Sequence, residues 1–354
     1  MLQLALKHIN EISSTIKLYS FFLLVSIERK NCLSMARESG VSRHKIVKYL
    51  DDGNEKEAKK ALIKTSQELS KKYKVSAIAI DDVILNKPYS ERNEDVTYGY
   101  SGVSKRVEKG MVFVTSAWTN GKECIQFDAV SWKRKKDCNN DEYIKKTDIL
   151  INIVENNKQH FNDNVFYTFD GAYSSHKIIK YFIKNILKFI ARFPRNRVVE
   201  IDGKKDNIEK QPIFQFKKNQ KYKKAHGFYK GQKVVFIAQK RKGRNGKYEI
   251  IFFITNFTGY TAKQITHLYK YRWPIEPSYR RAKQKLGATD CQSLFPQKQL
   301  KHLFAIFIAD AIACIHSIYK QNKNPYEYIN HLRRQKMHLP PSYNPLFLGT
   351  FMIN

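Results

Sequence analysis

Acids are scarce in this chain: 32 Asp and Glu stand against 64 Lys and Arg, giving a formal net charge of +32 over 354 residues. Self-repulsion on that scale is tolerated mainly where a polyanion neutralises it, which points to nucleic acid. Cysteine is nearly as rare. The five thiols, Cys32, Cys124, Cys138, Cys291 and Cys314, are scattered and contain no CxxC, which excludes a disulfide frame and a zinc knuckle. The ten histidines form no HxxxH pair. Any metal is therefore expected on oxygen ligands, which favours Mg²⁺, with Mn²⁺ as a substitute. Long apolar runs are also missing. The longest, Tyr19–Ile27, falls short of the roughly 18 residues a membrane crossing needs. Lys7 and His8 interrupt the first apolar stretch and no small-residue cleavage site follows, so no signal peptide is read. The expectation is a cytoplasmic protein with no membrane partner.

What is present is a stretch from Leu268 to Leu286, LYKYRWPIEPSYRRAKQKL. On an ideal helix Tyr269, Arg272, Glu276 and Lys283 fall within one sector about 60° wide. One carboxylate, two cations and a phenol on one stripe suit a divalent metal beside a phosphate backbone. Pro274 and Pro277 must interrupt that helix near Trp273, one of them entering the first turn of a new segment. Trp273, beside the break, reads as a core residue, the commoner case for Trp.

Further features organise the chain. Residues 1–72 read as a lysine-rich helical region. Within it Leu33–Leu50 has a helix-turn-helix pattern: Gly40 for the left-handed turn residue, Ser42 as cap, Ile46 and Leu50 inward, and Arg43, His44, Lys45 and Lys48 outward toward DNA. Asp51–Lys59 reads as a polar connection to a helix over Lys60–Lys72. Val75–Asp82 reads as a buried strand with two acids at its tip. A basic loop over Tyr98–Lys109 leads to strands Met111–Thr119 and Cys124–Trp132 around Asn120-Gly121, a strong hairpin signal. A helix over Asp141–Glu155 precedes a second acid-tipped strand, Asn164–Asp170. Then come a helix capped by Ser174 or Ser175 (His176–Ile186) and a strand at Leu187–Arg192.

Three antiparallel strands followed by helix–strand–helix–strand is the order of an RNase H-like fold. Residues 73–195 would form its first part. Residues 196–260, too long for a loop and rich in strand patterns, would form a β-rich insertion subdomain. The fold class is therefore α/β (α+β). Residues 261–320 would return to the core with an apolar closing helix at Lys298–Ser317, and 321–354, with Pro340, Pro341 and Pro345, would be a partly extended tail.

The spacing of Tyr269, Arg272, Glu276 and Lys283 resembles the Tyr-x2-Arg-x3-Glu-x6-Lys signature of the insertion-sequence-four superfamily of DDE transposases, complete at all four positions. The resemblance covers roughly Ser76–Lys283. It implies catalytic, metal-holding acids at Asp82, Asp170 and Glu276, with Asp82 favoured over its neighbour Asp81. Val83 stands where the family often has Thr. It also implies phosphate contacts by Tyr269, Arg272 and Lys283. The implied partners are double-stranded DNA, namely the terminal inverted repeats of the element and a target, and a second copy of the chain in a homodimer on DNA. The rival readings are a DNA-binding regulator descended from a transposase and another RNase H-like nuclease.

Overall fold

The computed structural model of the chain describes residues 2–102, 104–138, 142–243, 245–319 and 324–337. Five helices come first: α1 (Leu2–Asn10), α2 (Ser14–Val25), α3 (Cys32–Ser39), α4 (Arg43–Asp52) and α5 (Glu55–Ser70). The α3–α4 corner follows from its caps. The Asn31 side chain accepts from the amides of Leu33 and Ser34, Gly40 takes φ of 67°, and Ser42 accepts from the Lys45 amide. The polar connection expected at Asp51–Lys59 shrinks to Gly53 and Asn54. Asn54 caps α5, and Glu55 and Glu57 in the first turn favour the start of a helix, not a linker.

The sheet begins with β1 (Ser76–Asn86), β2 (Val96–Ser101), β3 (Arg106–Thr119) and β4 (Cys124–Trp132). Here Tyr98–Lys109 is not a loop: β2 and the first half of β3 form a hairpin. Next come α6 (Lys146–Asn157), β5 (Val165–Phe169), α7 (His176–Lys184) and β6 (Phe189–Phe193). Strand β3 pairs antiparallel with β1 along one edge, and with β2 and then β4 along the other. Strands β1, β5 and β6 lie side by side and parallel. This mixed sheet, flanked by helices, has the RNase H-like order.

Residues 196–260 do not fold away from it. Their strands, β7 (Val198–Ile201), β8 (Lys204–Asn207), β9 (Tyr222–Tyr229), β10 (Gln232–Lys242) and β11 (Tyr248–Thr255), extend the same sheet to eleven strands through antiparallel pairing of β11 with β6. Pro212–Phe214 is a 3₁₀ turn, consistent with the fixed φ and missing donor of proline.

Helices α8 (Ala262–Tyr269), α9 (Ile275–Gln284), α10 (Pro296–Tyr319) and α11 (Pro325–Met337) complete the described chain. Within the tail Pro325–Met337 is thus helical, and Pro340, Pro341 and Pro345 lie outside the described residues. By length and composition α10 could cross a bilayer, which corrects the expectation that no segment is apolar enough; 89% of its most apolar window is buried in the protein. The N-terminal helices help to enclose it: the Tyr19 hydroxyl bonds His302 Nδ1 at 2.8 Å, and the Tyr49 hydroxyl donates to the Lys301 carbonyl at 2.8 Å.

Candidate active site

The two acids of β1 are not at its tip. The strand runs on through Val83, Ile84 and Leu85, all buried. What ends is its neighbour: β5 pairs with β1 only as far as Phe169 opposite Ile80, and the chain turns off at Asp170. Asp81 and Asp82 therefore sit at a notch in the sheet, beside Asp170, where a mid-strand carboxylate need not be covered by a parallel partner.

Alternation along β1 sends the two acids to opposite faces. Asp81 shares the face of Ala77 and Ala79, whose small side chains let the α8–α9 segment come close: Ala77 packs in a cluster with Tyr269, and Ala79 in one with Ile275. On that face Arg272 donates to Asp81 Oδ2 and, at 2.6 Å, to Glu276 Oε1. A single guanidinium, its side chain only 11% exposed, bridges the strand acid and the helix acid. Burial pushes the Asp81 carboxyl up to about 7; Arg272 opposes this, while Asp82 and Asp170 add to it. For Arg272 burial works against the charge, and the surrounding Asp81, Tyr269, Glu276 and Asp170 outweigh it, so its proton is held more firmly than usual.

Asp82 faces the other way. Its Oδ2 meets Lys146 Nζ at 2.6 Å, at the start of α6, and its Oδ1 accepts from the Tyr173 hydroxyl at 3.3 Å. Lys146 lies over the Trp132 ring at 4.3 Å. The structure thus brings Asp81, and not the expected Asp82, to Arg272 and Glu276. Pattern reading missed Lys146 and Tyr173, because nothing local marks a residue that answers an acid on a distant strand.

Glu276 owes its position to the helix break. After α8, Lys270–Arg272 tightens to a 3₁₀ turn, Pro274 takes the N-cap position, and Pro277 falls in the first turn of α9, where a missing donor is harmless. The new helix is pinned from beneath. Arg281 donates twice to the Asp310 carboxylate on α10, at 2.6 and 2.9 Å, and Ser278 donates to the same group at 2.8 Å. Gln126 Nε2 donates to Ser278 Oγ at 2.7 Å, and the Cys124 thiol to the Pro274 carbonyl at 3.1 Å. The Tyr279 hydroxyl bonds Thr115 Oγ1 at 2.6 Å, and Thr115 is paired with Asp81 across the strands. This clamp was invisible in sequence, since Arg281 and Asp310 are separated by 28 residues of chain.

The rest of the stripe is less uniform. Tyr269 is buried against Phe253, ring centroids 4.8 Å apart, and burial pushes its hydroxyl up to about 12. Lys283 is half-buried two turns beyond Glu276; burial lowers its pKa while Glu108 opposes the fall. Trp273 is 56% exposed and is not a core residue. Arg43, His44, Lys45 and Lys48 all lie on the exposed face of α4, with Ile46 and Leu50 buried behind them. Among the described residues no three His, Cys, Asp or Glu side chains stand close enough together to hold a metal ion as they are.

No curated protein matches the chain. The chain does match the family model for the transposase DDE domain over residues 138–309, which takes in Asp170 and Glu276. It also matches that for DDE superfamily endonucleases over residues 7–212, more than half of its length, taking in both acids of β1 and Asp170. With the sheet order and the acid notch already described, these matches show that the chain belongs to the DDE superfamily endonucleases, and residues 138–309 are similar to the transposase DDE domain.

Proposed function

We propose that this chain is an active cut-and-paste DNA transposase of the insertion-sequence-four type, with Asp81, Asp170 and Glu276 as its acids. The observation that carries this reading is the buried guanidinium of Arg272, held between an acid in the middle of β1 and an acid on α9 at the point where β5 gives way to Asp170. Arg272 bonds acids from two elements, with the charge of Asp170 from a third felt there as well, and acids brought together from separate elements suit two-metal phosphoryl chemistry. The all-oxygen donor set suits Mg²⁺ or Mn²⁺, which Asp81, Asp170 and Glu276 would hold. When bound there, the ions supply a nucleophile at neutral pH and charge neutralisation at the phosphodiester.

The protein's own residues do the rest. In the free chain Arg272 balances the charge of Asp81 and Glu276, so the largely buried Asp81 is not left unpaired. Once other cations meet that charge, its planar fork is available to grip phosphate oxygens bidentately. Tyr269 braces it: the guanidinium carbon lies 6.0 Å from the ring centroid. Lys283 extends the grip along α9. Arg43, Lys45 and Lys48 present a basic helix face to duplex DNA at the element ends. Two ends must meet two active sites, so the working form is a homodimer on DNA.

The test is Mg²⁺-dependent cleavage of DNA carrying the inverted repeats that flank the gene, followed by joining of the freed 3′ ends to a second duplex. Cleavage lost in Glu276→Gln is expected. Binding without cleavage would favour a DNA-binding regulator, and cleavage without joining another RNase H-like nuclease.

A further inference from the structure

The hairpin of β2 and β3 has an outer face of unusual make-up. Tyr98 pairs with Lys109 and Tyr100 with Val107 across its two strands, and the intervening Thr97, Gly99 and Ser101 are buried. Tyr98, Tyr100 and Val107 stand 42%, 66% and 61% exposed. The Arg134 guanidinium lies 4.4 Å from the Tyr98 ring centroid. It is fixed there by two bonds to Asp137, at 2.8 and 3.1 Å, and Asp137 also accepts from Thr97 on β2. Leaving two tyrosines and a valine in water is costly unless something covers them. Asp137 balances the charge of the stacked Arg134, and Lys109, paired with Tyr98, adds a positive charge to the face.

Its place in the sheet says what could cover it. Counting by twos along β3 from Thr115, the partner of Asp81, reaches Lys109 and Val107, with no shift in the β1–β3 register. Tyr98, Tyr100, Val107 and Lys109 therefore share the sheet face of Asp81 and Glu276. At about 3.4 Å per residue they lie roughly 20 to 27 Å from Asp81, beyond the notch. B-form DNA rises by the same 3.4 Å or so per base pair, so this span is about six to eight base pairs.

We infer that the outer face of the β2–β3 hairpin is a second DNA-docking surface, covering the duplex about six to eight base pairs from the phosphate held at Asp81, with Tyr98 and Tyr100 packing on sugars or base edges and Arg134 and Lys109 on phosphates. The inference rests on the function proposed above. Its partner is duplex DNA because the face sets two exposed aromatic rings beside cations, a mix that suits sugars and phosphates; between it and Asp81 the same face is covered, Met111 and Phe113 being buried.

The experiment uses the full chain and a fluorescent 30-base-pair duplex, read by anisotropy over a range of salt, with amide hydrogen exchange on the same complex. Tyr98→Ala/Tyr100→Ala is expected to weaken binding at least fivefold with an unchanged salt slope and an unchanged melting temperature. Arg134→Gln/Lys109→Gln is expected to lower the slope by about 1 to 2. Tyr248→Ala, a similarly exposed tyrosine on β11, is the control and should bind as the parent does. Amides of 96–111 should gain protection in the complex. If DNA binds and protects α4 and α9 but not the hairpin, the inference fails and the proposed function stands. If the chain neither binds nor cleaves DNA, both fail. Protection of 96–111 that rises with protein concentration in the absence of DNA would assign the face to a second copy of the chain and overturn the DNA reading.

Discussion

Helices α4 and α9 both carry basic residues that sequence pattern assigns to DNA, and they are built on opposite principles. On α4 the cations stand in water and only the apolar side is packed. On the α9 side the decisive cation is buried, clasped by acids and braced by an aromatic ring. A solvated row works by summed charge, so its members are interchangeable and its effect is screened by salt. A buried guanidinium works by geometry and cannot be exchanged even for lysine. One surface should set affinity and the other should set chemistry.

The comparison breaks most sharply at the acids. Asp81→Asn, Asp170→Asn and Glu276→Gln should each reduce DNA cleavage on the order of a thousandfold or more with affinity for DNA retained. Asp82→Asn, which alters the opposite face, should stay within about tenfold of the parent; equal losses at Asp81 and Asp82 would show that both faces serve the chemistry. Next is Arg272. Replacing it by Lys should cost about a hundredfold in cleavage. Arg272→Gln should bind Mn²⁺ more tightly than the parent in the absence of DNA, as read by electron paramagnetic resonance, because a resident cation has been removed.

A stability effect follows from the clamp beneath α9. Asp310→Asn leaves Arg281 buried without its charge partner, at a cost of about 3 to 5 kcal/mol in denaturant unfolding. On α4, Arg43→Ala/Lys45→Ala/Lys48→Ala should lower the salt slope of DNA binding by about 2 to 3 and leave the single-turnover rate of the bound complex unchanged. The smallest effect is a pH dependence. Asp81 is protonated more readily in the folded than in the unfolded chain, so its contribution to stability is full below about 4 and is lost as pH rises toward 7. The melting temperature of the parent minus that of Asp81→Asn should therefore fall across that window and level off above it.

Much of the framework was readable in residues. Asn120-Gly121 marked the β3–β4 turn, Gly40 and Ser42 marked the α3–α4 corner, and the two prolines marked the break before Glu276. The failures share a cause: a local signal was overruled by a partner distant in sequence. Two consecutive acids look like a strand end, yet β1 continues because β3 still pairs with Val83–Asn86 while β5 has stopped. Tyr98–Lys109 looked like a loop because of its glycines and lysines, and Gly99 is there because β2 packs so closely that a Cβ would meet Val112 at 2.8 Å. Which of two adjacent acids faces α9 depends on which face the helix covers, and that is settled by Ala79, Ala117 and Ile275 together.

The pairing of β11 with β6 carries a lesson for anyone who would trim this chain to a minimal catalytic core. Residues 196–260 are not a module hung from a linker. Cutting them out would strip the outer edge of β6 of its hydrogen-bonding neighbour and uncover Ile190 and Phe193. A shortened protein of that kind should associate edge to edge through β6 instead of folding as a smaller, independent nuclease.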